Sequence, residues 1–222
     1  MRTERPTPPR GRQAEAGRND ERLLRAARQV FAESGWDAPV SLIARRAGIG
    51  MGSLYRRYGS KEDLVRRIQL AAMARLTELA ESAAAHPDPW DGFVEFMTGS
   101  LWPDNDGGSM LSIVGGRLAA TPEIDAAAER LRVAVDTIVQ RAQQAGALRE
   151  DVGAGDIMLS LDHLNARLPA PTARVVELHR RSVELLLDGL RAPAARPLSG
   201  PALSWEELKG MWHAGPAEDD AG

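Results

Sequence analysis

The sequence contains no cysteine, which excludes disulfide bonds, zinc sites with thiolate ligands and cysteine nucleophiles. No stretch approaches about 18 uninterrupted apolar residues, so we expect no transmembrane helix. The N-terminus is rich in Arg and Pro and has no apolar run before a cleavage site, so we expect no secretory signal. These absences fit a protein of the reducing cytoplasm that does not enter a membrane.

Recognisable catalytic and metal-binding patterns are also missing. The chain has no Gly-x-Ser-x-Gly nucleophile elbow and no phosphate-binding glycine loop. Its four histidines are scattered without the spacing of metal ligands, at His86, His163, His179 and His213. We therefore expect a protein that is not an enzyme and that has no metal site and no cofactor.

Charge is distributed unevenly along the chain, although the net charge of the 222 residues is only −3. Residues 1–70 hold 15 basic and 8 acidic residues, a balance of +7, whereas the other 152 hold 13 and 23, a balance of −10. From Ala38 to Lys61 there are five basic residues and no acid. A basic end on an acidic body indicates a segment that meets an anion, although a basic face can also be merely solvated.

Hydrophobic periodicity predicts an all-α protein, and the 43% hydrophobic content is sufficient for a buried core. Residues 1–18 lack this periodicity and predict a disordered basic arm, which would reach phosphates or act only as a solubilising tail. The first helix is expected to begin near Asn19 and Asp20. Helix caps and breakers predict further helices at about 39–48 (capped by Asp37), 50–58, 61–85 (capped by Ser60), 90–101, 107–119, 122–145, 154–167 and 172–190, with an amphipathic piece at 203–212 (capped by Ser204) that docks or frays.

The stretch from Pro39 to Leu64 has the form of a helix-turn-helix, two short helices separated by a tight turn that contains glycine. Gly48 suits the left-handed conformation that such a turn needs. The residues expected to pack inward are Ile43, Ala44, Ala47, Ile49, Leu54 and Tyr58. The residues left outside on the second helix are Gly50, Met51, Gly52, Ser53, Tyr55 and Arg56. A helix of this kind fits the major groove of B-DNA.

This stretch of the sequence resembles the TetR family of bacterial transcription regulators. The resemblance covers roughly residues 20–70 and rests on matching spacings of Ile43-Ala44, Ala47-Gly48-Ile49, Leu54-Tyr55, Tyr58 and Ser60-Lys61-Glu62-Asp63-Leu64. Three positions depart from the usual pattern: Gly50 stands where Ser is common, Ser53 where Thr is common and Tyr58 where Phe is common. These departures leave the fold possible and would change the operator.

The resemblance implies an N-terminal three-helix helix-turn-helix DNA-binding domain joined to a helical ligand-binding and dimerisation domain. We expect the DNA-binding domain at residues 19–66, with its fourth helix continuing to about 85, the second domain at 67–190 and a tail at 191–222. Tyr55 resembles the family tyrosine that reaches the DNA backbone, and Lys61 the lysine that contacts phosphate. Arg56 suits a guanine edge because its guanidinium bonds bidentately. The expected DNA-contacting set is Arg45, Gly50, Met51, Gly52, Ser53, Tyr55, Arg56 and Lys61.

The family's last two long helices form a four-helix dimer interface, here at about 154–167 and 172–190. A homodimer would read an inverted-repeat operator in double-stranded DNA. The resemblance implies a repressor released by a small-molecule effector, which we expect to be largely apolar. Its pocket is expected among Trp90, Phe93, Phe96, Met97, Trp102, Met110, Val114, Arg117 and His163, although these side chains also suit an ordinary core. Two alternatives stay open: an activator on the same fold, and a small-molecule-binding helical protein without operator binding.

Overall fold

The protein is helical throughout the part of the chain that the structure describes. The computed structural model describes residues 10–101, 115–165, 168–193 and 196–213. These ranges contain no β-strand, and their helices are α1 (Arg10–Ser34), α2 (Val40–Ala47), α3 (Met51–Tyr58), α4 (Lys61–Ala84), α5 (Pro89–Gly99), α6 (Pro122–Gln144), α7 (Ala154–Leu164), α8 (Thr172–Leu190) and α9 (Trp205–His213). The all-α prediction is confirmed. None of these helices combines the length and the apolar character needed to cross a membrane.

The buried side chains form two separate clusters. The first joins α1, α2, α3 and the start of α4, and its largest fully buried members are Leu23, Phe31, Ile43, Leu54, Leu64 and Ile68. The second joins the rest of α4 to α5–α9, around Phe93, Phe96, Met97, Ile124 and Leu131. Because α4 contributes Val65 to the first cluster and Ala80 to the second, this helix links the two parts of the molecule.

Local capping chemistry sets most helix boundaries where the sequence predicts them. The Ser60 hydroxyl accepts a hydrogen bond from the Asp63 N–H at 3.0 Å and caps α4, as predicted. Asp88 caps α5, with its carboxylate accepting from the Trp90 N–H at 2.8 Å. Thr121 caps α6, with its hydroxyl accepting from the Ile124 N–H at 3.3 Å. Each of these bonds satisfies a backbone donor that the first turn of a helix leaves unpaired.

Three sequence predictions about helix limits are wrong. The prediction of a disordered arm fails for residues 10–18, because α1 already begins at Arg10. The prolines that oppose helix formation end at Pro9, and the following stretch has Gln, Ala, Glu and Arg, which favour a helix. Asp37 does not cap α2, whose cap position is Pro39 without a side-chain hydrogen bond. Residues 115–119 form a turn rather than the end of a helix, and the rest of the predicted helix, 107–114, lies outside the described residues, as do residues 1–9.

The C-terminal segment 196–213 folds back onto the body of the protein, which settles whether its amphipathic piece docks or frays. Its helix α9 buries Trp205, Leu208 and Trp212 in the second cluster. Ser204 and Glu207 form a reciprocal cap at the start of α9, with N–H to oxygen distances of 3.2 and 2.9 Å. The segment lies so close to α7 that a Cβ atom added at Gly155 would overlap the Leu203 carbonyl oxygen.

The C-terminal end of α4 is held by a side chain of the second domain. Arg141 of α6 donates hydrogen bonds to the carbonyl oxygens of Ala84 and His86, the latter at 3.0 Å. These carbonyls lie at or just past the helix end, where acceptors have no partner within the helix. Arg141 therefore attaches the far end of α4 to α6.

Candidate DNA interface

The angle between α2 and α3 is set by buried apolar residues and by one left-handed glycine. Ile43, Ala44 and Leu54 are almost completely buried where the two helices meet α1 and α4. Gly48 has φ 68° and ψ 34°, a conformation that costs glycine little and other residues much more. After this turn the Ile49 N–H donates to the Ala44 carbonyl at 3.0 Å, which closes the end of α2. The sequence prediction for this turn is confirmed.

Helix α3 presents the predicted reading surface to solvent. Gly50 lies at its N-cap without a side-chain hydrogen bond, and its exposed residues are Met51, Gly52, Ser53, Tyr55, Arg56 and Arg57. Tyr55 is 46% exposed and Met51 36%, so both side chains are open to solvent on this face. The structure thus brings together, on this helix and its N-cap, six of the eight residues predicted to contact DNA.

Arg56 is ordered by a neighbour on the same helix. Its Nη2 atom donates to the Ser53 hydroxyl at 3.1 Å, one turn earlier. This contact directs a guanidinium along the N-terminal half of α3 and leaves most of its five donors for another partner. Ser53 therefore orients the Arg56 side chain, whether or not its own hydroxyl contacts a base.

Lys61 begins α4 and lies over two aromatic rings. Its Nζ atom is 5.2 Å from the ring centroid of Trp36 and 5.7 Å from that of Phe31, within the range of a cation–π interaction. The two rings are themselves stacked, with centroids 6.3 Å apart and planes 21° apart. The sequence analysis does not identify Trp36. The signal that could have identified it is its position, since it is an aromatic residue directly after Gly35, the glycine that follows α1.

The two arginines at the end of α2 have different environments. Arg46 donates to the Glu33 carboxylate at 2.7 Å, and this hydrogen bond raises the pKa of Arg46. Arg45 is exposed, and it forms no ion pair within the described part of the chain. Arg22 of α1 donates to the Ala47 carbonyl at 3.1 Å and so completes the C-terminal end of α2. The free cation of the pair is therefore Arg45, the one included in the predicted set.

The residues predicted to bind a ligand do not form one open site in the described part of the chain. Trp90, Phe93, Phe96 and Met97 are all buried in the second cluster. Arg117 and His163 are exposed. Trp102, Met110 and Val114 lie outside the described residues. Two grooves of about 380 and 440 Å³ run between α4 and α6, and neither is lined by a residue of the predicted set.

The two helices predicted to form the dimer interface bury most of their apolar residues within their own subunit. Ile157, Leu161, Val175 and Val183 are all at most 2% exposed. On α8, Val176 is 36% exposed and Leu185 is 64% exposed, and at about 100° per residue the two side chains project to opposite sides of the helix. Leu185 is the most exposed large apolar side chain in the described residues.

Two protein-family models match this chain. The model of bacterial regulatory proteins of the tetR family matches residues 23–68, which contain α2 and α3 with most of the first cluster. A second model, the C-terminal domain of SbtR-like transcriptional regulators, matches residues 88–192, from α5 to the end of α8. The chain belongs to the TetR family. The family resemblance seen in the sequence is therefore confirmed.

Similar proteins agree with the TetR-family fold. The regulator UidR of Escherichia coli strain K12 is 34% identical over 92 residues, which are 40% of this chain and 44% of UidR, so the match spans less than half of that relative. The crystal structure of the TetR regulator PfmR from Thermus thermophilus is 27% identical, with a TM-score of 0.55 over 76% of this chain and 95% of PfmR. A TetR regulator from Mycobacterium vanbaalenii is also 27% identical, with a TM-score of 0.54 over 81% and 99% of the two chains.

Proposed function

We propose that this TetR-family protein is a cytoplasmic repressor that binds an inverted-repeat operator as a homodimer and is released by a small, largely apolar ligand. The observation that carries the proposal is the exposed face of α3, where Met51, Tyr55 and Arg56 are held outward by a well-packed core beneath them. A rigid helix that exposes large side chains and a guanidinium has the width and chemistry to read a major groove.

Each predicted residue has a proposed role at the DNA. The Tyr55 hydroxyl donates to a backbone phosphate, and Arg56 pairs with the O6 and N7 acceptors of a guanine. Arg45 and Lys61 contact phosphates on either side of the groove, and the N-terminal N–H groups of α4 add to the attraction at Lys61. Gly50, Met51, Gly52 and Ser53 allow close contact between the start of α3 and base edges.

Dimerisation is proposed through α7 and α8. An inverted repeat has a two-fold axis, so a protein that places one α3 in each half-site needs the same axis. Leu185 supplies exposed apolar surface on the outer face of α8, and a second copy of the same surface would bury it.

A ligand is proposed to act on the second cluster, near Trp90, Phe93, Phe96 and Met97. An apolar ligand among aromatic and methionine side chains would be bound mainly by burial of its surface. Release from DNA requires that the ligand bind better to a spacing of the two α3 helices that does not fit the operator.

The experiment that tests this function is selection of bound duplexes from a random DNA library at moderate salt. We expect an enriched inverted repeat whose binding is lost when Tyr55 and Lys61 are both changed to Ala. Binding without an enriched sequence would leave only a basic surface and contradict operator recognition. A folded protein that binds no duplex would favour the alternative of a small-molecule-binding protein without operator binding.

An activator on the same fold is separated from a repressor by a second measurement. The enriched site is placed next to a promoter that drives a reporter gene, and the protein is supplied in trans. A repressor lowers reporter output, whereas an activator raises it, and the double variant Tyr55→Ala with Lys61→Ala serves as the control in both cases.

A further inference from the structure

Lys61 differs from two nearby cations, Arg46 and Arg66, in what holds it. Arg46 is paired with the Glu33 carboxylate at 2.7 Å, and Arg66 with the Asp63 carboxylate at 3.1 Å. The contacts that hold the Lys61 ammonium are instead with the uncharged rings of Phe31 and Trp36. A carboxylate partner cancels most of a cation's field, whereas a ring attracts the cation through its quadrupole and leaves the net charge in place.

The two rings also restrict where the ammonium can be. A lysine side chain is flexible, and a free one loses rotamer entropy when it is fixed on a phosphate. Trp36 stacks on Phe31, and Phe31 is only 2% exposed, so the pair is anchored in the first cluster. A ring face uses none of the three N–H donors in a conventional hydrogen bond, and these donors stay available for phosphate oxygens.

We propose that Trp36 is a positioning residue that holds the Lys61 ammonium over its ring, charged and partly ordered, for contact with a phosphodiester oxygen of the operator. Trp36 itself lies in the turn after α1 and acts through Lys61. The proposal rests on the function proposed above, because it requires that Lys61 contact phosphate.

The contact can be measured first without DNA. The chain has only two lysines, Lys61 and Lys209, so a sample labelled with ¹³C-lysine gives two sets of side-chain signals. Ring currents should shift the Hε signals of Lys61 upfield, and the shift should be reduced in Trp36→Leu and largely kept in Trp36→Phe. Lys209 pairs with Glu206 at 2.9 Å on α9 and serves as the internal reference. An unshifted Lys61 in the wild-type protein would overturn the proposal.

The functional test is a double-mutant cycle on the affinity for the selected duplex. Trp36→Leu should weaken binding about four- to twenty-five-fold for a dimer, the square of the two- to fivefold effect of one exposed cation–π contact. In a Lys61→Met background the same change should alter the affinity less than about twofold, and Trp36→Phe should restore most of the loss. Lys209→Met should leave binding unchanged.

The outcomes separate positioning from other roles. An equal loss from Trp36→Leu in both backgrounds would mean that the residue contacts DNA itself or supports the fold, and would overturn the proposal. Thermal unfolding of each variant identifies the second of these, and Trp36→Phe supplies the measurement if Trp36→Leu does not fold. If the wild-type protein binds no duplex although Lys61 shows the ring-current shift, the proposed function fails and the aromatic contact is packing only.

Discussion

The Nη2 atom of Arg46 lies 2.7 Å from Oε2 of Glu33, so the last turn of α2 is tied to the last turn of α1 by an ion pair. Arg45, the preceding residue, is exposed beside it. Adjacent arginines of the same charge should therefore differ in what they contribute to DNA binding.

Arg45→Ala should weaken operator binding and reduce the slope of log K against log salt by about 1.8 in a dimer, since each phosphate contact contributes about 0.9. Arg46→Ala is the matched control. It should leave the slope nearly unchanged and cost at most about 1 kcal/mol of stability, because the ion pair is partly exposed. Titrations at several salt concentrations measure both slopes, and equal slope changes would contradict this assignment.

Arg56→Ala should relax the preference for one base pair in each half-site, by about 1–3 kcal/mol of discrimination. The reason is that the Arg56 guanidinium, directed by Ser53 at 3.1 Å, is the proposed reader of a guanine edge. Repeating the library selection with the variant measures the change at each position. Arg56→Lys keeps the charge and loses the bidentate fork, so it should restore affinity more than specificity. An unchanged base preference in both variants would exclude Arg56 as a reader.

Leu185→Glu should convert the proposed homodimer to a monomer, because two copies of a carboxylate would face each other where apolar surface is proposed to be buried. Val133→Glu is a suitable control, since Val133 is 50% exposed on α6, outside the proposed interface. Sedimentation equilibrium of both variants gives the mass in solution. A dimer that persists in Leu185→Glu with unchanged affinity would place the interface elsewhere.

Gly155→Ala should loosen the C-terminal segment, because the added Cβ would overlap the carbonyl oxygen of Leu203. Overpacking of this kind typically costs about 1–3 kcal/mol, and here the clashing atom belongs to the backbone. Gly210→Ala on α9 meets no atom within 4 Å and should be neutral or stabilising. Unfolding curves and the fluorescence of Trp205 and Trp212 follow the change, and equal stability of the two variants would show that α7 and the segment separate easily.

Asp151 should make stability dependent on acid pH. Hydrogen bonds from Arg149 at 2.5 Å and from the Leu198 N–H at 2.8 Å hold the pKa of Asp151 below its ordinary value. A depressed pKa stabilises the folded state above the unfolded pKa of about 3.9, and this contribution is lost as the pH falls through the folded pKa. The stability difference between wild type and Asp151→Asn should therefore shrink below about pH 4. Asp188→Asn, at an exposed position on α8, provides the comparison, and a pH-independent difference between wild type and Asp151→Asn would contradict the expectation.

Local signals explain which parts of the fold could be predicted from the sequence. Gly48 determines a turn, and Ser60 a helix cap, through interactions within a few residues. The local sequence is therefore sufficient to predict both features. The predicted start of α1 is wrong because good cap residues at 19 and 20 indicate a helix start, although the preceding Ala, Gln and Arg residues also favour a helix.

Contacts between distant residues explain most of what the sequence does not predict. Phe31, Trp36 and Lys61 come from three different elements, and their meeting depends on how α1 packs on α4. Leu185 escapes prediction for a related reason. An amphipathic helix such as α8 can have apolar residues on a second face, and hydrophobic spacing alone does not separate the face that packs inward from the one that stays exposed.

The helix α4 is continuous through both clusters and is attached to α6 by Arg141 at its far end. A helix of 24 residues is about 36 Å long, at about 1.5 Å per residue. If it tilted as a rigid rod about its contact with Arg141, a tilt of about 5° would move its first residue, Lys61, by about 3 Å, roughly the length of one hydrogen bond. A small change in the packing of the second cluster would thus be enough to move the first turn of α4 away from a phosphate.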